Sequence, residues 1–77
     1  MNQYDINRKM ARKTARIAFP TYGRVFNGRE RLKAYLEDVN KHNVFESVYA
    51  GEVDSMSIWL VIHWLEQFGL ISYEESW

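Results

Sequence analysis

Cysteine is absent from these 77 residues, which excludes a disulfide framework and thiolate chemistry and is compatible with a reducing cytoplasm. Long apolar runs are missing too. The longest, "IWLVI" at residues 58–62, is far short of the ~20 residues a membrane-spanning helix needs. The opening "MNQYDINRKMARK" carries no apolar stretch of the signal-peptide kind. Proline occurs once, and no repeat, linker or low-complexity segment breaks the chain, so residues 1–77 read as one domain. The expectation is a soluble cytoplasmic protein.

Reaction chemistry is equally scarce. Only His42 and His63 supply imidazole, and neither HExxH nor EF-hand spacing occurs, so no metal site is expected. In "GRVFNGRE", Gly23 and Gly28 are spaced as in a phosphate-binding loop, but Arg29 and Glu30 stand where that loop needs Lys and Ser or Thr. No nucleophile-elbow serine is visible. Glu74 and Glu75 adjoin in a tail, with nothing to desolvate either as an acid catalyst. Neither an enzyme nor a cofactor is expected.

One sign of charge is missing from half of the chain. Residues 1–41 hold all ten Lys and Arg against four acids, Asp5, Glu30, Glu37 and Asp38, a net of +6. Residues 42–77 hold no Lys or Arg and six acids, a net of −6. The chain-wide sum of zero conceals this division. It points either to an anionic partner for the first half or to one half folding over the other.

What is present is apolar and strongly periodic. Hydrophobic residues make up 47% and aromatics 16% of the chain, enough for a dense small core without staples or metal. In "YDINRKMARKTARIAF" a turn of about 100° per residue sets Ile6, Met10, Thr14, Ile17, Ala11 and Ala18 along one side. Arg8, Lys9, Arg12, Lys13 and Arg16 fill the other. With Asp5 as cap and Pro20 disfavouring helical geometry at Phe19, the helix is expected over 5–18. "PTYGRVFNG" has strand character. "NGRERLKAYLEDVNKH" predicts a helix over 28–42, capped by Asn27 with Glu30 at the third position and a Leu32, Tyr35, Leu36, Val39 stripe. "NVFESVYAG" predicts a two-turn helix over 44–50 stopped by Gly51. Asp54 or Ser55 then caps a helix over 55–68 ended by a left-handed Gly69, and a short strand follows over 70–73. The fold class is mainly α with a minimal β element.

The order short helix, tight turn, longer helix, glycine and apolar strand resembles the helical core of the winged helix-turn-helix superfamily over residues 30–73, with "WLEQFGLISY" similar to the end of its third helix and the start of its wing. Two features depart from that pattern. No second wing strand follows Tyr73, and an extra basic helix precedes the motif; "TYGRVF" can pair with "LISY" instead.

The resemblance implies that the helix over 55–68 takes the DNA-reading position. Base readout leans on Arg, Lys, Asn and Gln, and only Gln67 qualifies there, while Glu66 opposes. Leu60, Trp64, Phe68, Val61, Leu65, Ile58 and Ile62 form the apolar arc expected to face the core. The opposite arc carries Met56, Trp59 and His63. Aromatic and methionine side chains anchor protein interfaces, so this face suits a protein partner; packing of Trp59 under the basic helix and an ordinary role for His63 are the plainer alternatives.

The basic helix is the stronger functional signal. Its five cations, Arg8, Lys9, Arg12, Lys13 and Arg16, can lie along a phosphate backbone and release counterions, or form a simply solvated face. Arg24, Arg29, Arg31 and Lys33 extend the positive zone in sequence. Tyr22 and Phe26 around Arg24 suit either base stacking or the core. A membrane surface is not expected, since the apolar side offers mainly Ile6, Met10, Ile17 and alanines. Two functions from different classes follow. One is a small DNA-associated accessory or regulatory protein gripping phosphates through the basic helix. The other is a protein-binding inhibitor or adaptor of the kind phages and mobile elements encode, with a homodimer as one form.

Overall fold

The structure is a computed structural model and describes residues 2–20 and 24–74. In chain order it contains α1 (Gln3–Ala18), β1 (Val25–Phe26), α2 (Arg29–Val39), a 3-10 turn (Asn40–His42), α3 (Glu46–Tyr49), α4 (Ser55–Gln67) and β2 (Ser72–Tyr73). It is mainly helical with a minimal β element, as expected, and among the described residues that element is a two-stranded parallel pair.

Helix α1 begins earlier than Asp5. The Asp5 N–H donates to Asn2 Oδ1 at 2.9 Å, so Asn2 is the cap, and Asp5 lies in the first turn with its charge towards the positive end of the helix dipole. At the other end the Phe19 N–H closes on the Ala15 carbonyl at 2.8 Å, and the Tyr35 hydroxyl of α2 donates to the Ala18 carbonyl. The buried face of α1 is Ala11, Thr14, Ala15 and Ala18. It is rotated from the expected one, and Ile6 and Ile17 stay 37% and 36% exposed. Small side chains let α1 approach its neighbours closely, which bulky isoleucines on that face would prevent.

Helix α2 starts after Gly28 at φ 102, with no side-chain cap, so Asn27 does not serve as one. Its ladder tightens into the 3-10 turn after Val39 instead of continuing to residue 42. There the Asn40 amide joins two connections: Oδ1 accepts from the Phe45 N–H at 3.1 Å and Nδ2 donates to the Val53 carbonyl at 3.0 Å. Helix α3 is a single turn, and the left-handed residue that stops it is Ala50 at φ 56, one position before the expected Gly51.

Helix α4 matches its sequence signals. Asp54 Oδ1 accepts from the Ser57 N–H at 2.8 Å. At the far end Gly69 (φ 64) sends its N–H to the Glu66 carbonyl at 3.1 Å, and the Leu70 N–H reaches the Leu65 carbonyl at 3.0 Å. This is the paired arrangement of a Schellman stop. It turns the chain back so that β2 meets β1 in parallel, Val25 opposite Ser72 and Phe26 opposite Tyr73.

Leu32 and Leu36 of α2, Phe45, and Ile58, Ile62 and Leu65 of α4 are sealed from solvent at the centre, each contributing about 1.5–3 kcal/mol by burial. Ala15 and Ala18 of α1 pack on the same cluster.

Candidate nucleic-acid interface

Because the alanine face of α1 is turned inward, its cations are turned outward. Arg8, Lys9, Arg12, Lys13 and Arg16 are all exposed. Arg8, Arg12 and Arg16 follow one another at four-residue steps of about 6 Å along the axis. Asp5, Arg8, Lys9, Arg12 and Arg16 line a shallow recess of about 250 Å³.

The division of charge raised the alternative that acids of the second half neutralise this row. Among the described residues they do not. The ion pairs there are Arg29–Glu66 at 3.2 Å and Lys33–Glu37 at 2.6 Å. Glu66 therefore meets α2, and the α1 cations engage no carboxylate of the described chain.

Arg24 joins the row. Its guanidinium lies over the Phe19 ring, 5.9 Å from the centroid, and it lines a second recess of about 230 Å³ with Arg12, Arg16, Ala15 and Leu70. Arg12 and Arg16 thus border both recesses, so the positive surface runs from the first turns of α1 to the approach to β1. Leu70 is brought there by the Schellman turn, and Arg24 is held by its carbonyl, which accepts the Ser72 N–H at 2.8 Å. Phe26 packs with Phe19 and Tyr35 in an aromatic cluster, with centroid separations of 5.4 to 5.7 Å. It belongs to the fold and is not available to stack on a base. Tyr22 lies outside the described residues.

Arg29 and Lys33 form a separate site. Both stand over Trp59, 5.5 and 5.2 Å from its ring, and Lys33 also donates to Ser55 Oγ at 3.0 Å. Beside them the Tyr73 hydroxyl donates to Glu66 Oε2 at 2.8 Å. Burial first, and then the Glu66 carboxylate, pushes the Tyr73 hydroxyl up to about 12, with Arg29 working against the shift. This network ties α2, α4 and β2 together.

The proposed protein-binding trio is only partly on one surface. Met56 is 77% exposed and His63 is exposed, but Trp59 is half-buried and covered by the two α2 cations rather than standing free. Leu60, expected in the core, is instead 57% exposed and lies beside Met56 on the outer face of α4. Below it runs an apolar groove of about 300 Å³ between α1 and α4, lined among others by Met10, Tyr49, Val53 and Trp64. Nothing local marked Leu60 in the sequence except its place at the very edge of the apolar arc.

Among the described residues no helix is long and apolar enough to cross a membrane, and no cluster of three or more His, Cys, Asp or Glu is placed to hold a metal ion. Comparison with family models, with curated proteins and with solved structures finds no match to this chain.

Proposed function

We propose that this chain is a small non-enzymatic DNA-associated accessory protein that grips the phosphate backbone through α1. The observation that carries this reading is the outward row Arg8, Lys9, Arg12, Lys13 and Arg16, free of carboxylate partners among the described residues and prolonged by Arg24. Such a row gains affinity from counterion release without reading bases. The uncharged outer face of α4, with Met56, Leu60 and His63, is unsuited to base recognition, so specificity is left to a partner. A gel-shift series against salt tests the proposal. Neutralising four or five phosphates gives a log–log slope of about −4, whereas no retardation even at low salt removes the reading.

The Met56–Leu60 face favours a second reading, a protein-binding module of the inhibitor or adaptor type. Under it, a partner protein is retained after nuclease treatment and lost on Leu60→Glu. Retention that is abolished by nuclease contradicts it.

A further inference from the structure

We infer that α1 takes a single strand of nucleic acid, with its phosphates on the arginine row and an unpaired base stacked at Tyr4. This deepens the reading of α1 as a phosphate grip and rests on it.

A second aromatic cluster stands beside the row. Tyr4 meets Phe68 edge to face, with ring centroids 5.4 Å apart, and Phe68 stacks on Trp64 at 6.0 Å. Phe68 and Trp64, expected in the core, are half-buried and lie outside its cluster. Tyr4 is 63% exposed. It offers an aromatic surface to solvent, with Phe68 packed against it.

The place of Tyr4 in α1 decides what that surface suits. Tyr4, Arg8, Arg12 and Arg16 follow one another at four-residue steps, which makes them one ridge of the helix. The turn that ends α4 accompanies this ridge: Phe68 packs on Tyr4, and Leu70 lines the recess with Arg12 and Arg16. Helical rotation sets Lys9 and Lys13 on its other side. The one acid of α1, Asp5, lies on that side too, in the recess with Arg8, Lys9 and Arg12. The ridge thus has an apolar border and a cationic border. A single strand is divided in the same way, with its bases on one side of a charged backbone. A duplex turns its bases inward, so it engages the cations and leaves Tyr4 unused. On the remaining flank of Tyr4 the Gln3 amide donates to Asn7 Oδ1 at 2.9 Å, and neither side chain carries a charge that would repel a strand. A positive track beside a stacking aromatic is the combination that sequence-tolerant single-strand binding uses.

Fluorescence anisotropy with an oligothymidylate of about 12 nucleotides, its abasic counterpart of the same length and a duplex tests the inference. The oligothymidylate is expected to bind most tightly. Tyr4→Ala weakens that complex by about 5- to 150-fold, the loss of one stacked base, and brings it to the level of the abasic strand, whereas Tyr4→Phe binds as the wild type does. The salt slope stays the same in Tyr4→Ala, while Arg12→Gln lowers it by about 0.7. Circular dichroism of both Tyr4 variants matches the wild type, because Tyr4 lies outside the core. Equal affinity of the wild type for the thymidylate and abasic strands overturns the inference, as does a base preference that survives Tyr4→Ala. With duplex binding retained, either result leaves the phosphate grip standing. No binding of any of the three at low salt removes both.

Discussion

Thr14 is the one buried polar side chain among the described residues, and its hydroxyl has two partners: it donates to the Met10 carbonyl at 2.9 Å and accepts from the Tyr49 hydroxyl at 2.7 Å. The two ends of that contact are not equivalent. Thr14→Val leaves the Tyr49 hydroxyl half-buried and unpaired, a loss of about 1–3 kcal/mol, whereas Tyr49→Phe leaves Thr14 still bonded to its own helix and costs about 1 kcal/mol or less. Urea denaturation of the two variants checks the order, and a larger loss for Tyr49→Phe would contradict it. Asp54 gives an acid-dependent counterpart. The Ser57 N–H holds its carboxyl below the ordinary 3.8, so its contribution is complete above that value and is lost as the pH falls through the lowered one. In Asp54→Asn this part of the acid limb disappears from thermal melts recorded against pH, while an unchanged limb would show that the cap bond carries no weight.

The ends of helices show where sequence is informative and where it is not. Asp54 and Gly69 were readable because a cap and a Schellman turn are decided within a few residues. Ala50 was not. It takes the left-handed conformation beside a glycine that does not, and nothing in "VYAGEV" says which of the two residues turns. Since an L-residue there costs roughly 1–2 kcal/mol and Gly gives back about 0.4–1 kcal/mol in the unfolded chain, Ala50→Gly is expected to raise stability slightly. A lower melting temperature would contradict this. The alanine face of α1 was obscured for a different reason: hydropathy weights Ile6 and Ile17 above alanine, yet close helix packing selects small residues. Trp59, at the edge of its arc, was covered by α2 through tertiary packing that no window of sequence contains. The parallel β1–β2 pair joins segments at opposite ends of the helical core, and its most testable consequence is alkaline. Tyr73, raised from 10 to about 12, supports the fold fully below the lower value and loses that support as the pH rises through the upper one. Tyr73→Phe therefore flattens the alkaline limb of stability, with the raised Tyr49 hydroxyl supplying what remains.

Across the molecule, the separation of charge along the chain survives folding at α1, whose cations meet no carboxylate of the described chain, and is bridged at α2 by the Arg29–Glu66 pair. The α1 row was legible from periodicity alone, because five cations at helical spacing share a face whatever they pack beside. The inclusion of Arg24 was not, since it depends on Phe19 beneath the guanidinium and on the Schellman turn that brings Leu70 alongside. Nor was the exclusion of Arg29 and Lys33, which turn to Trp59 and Glu66. Arg12 and Arg16, bordering both recesses, are expected to contribute most. Changing either to Gln should lower the salt slope of DNA binding by about 1 and weaken all sequences alike, whereas Arg29→Gln should leave the slope unchanged.

NMR titration of the labelled protein with a short DNA duplex at low salt locates the contact directly. The expected footprint is a set of shifts at Arg8, Arg12, Arg16 and Arg24 that fades as salt is raised. Shifts confined to α2 or to the outer face of α4, or none at all, would contradict it.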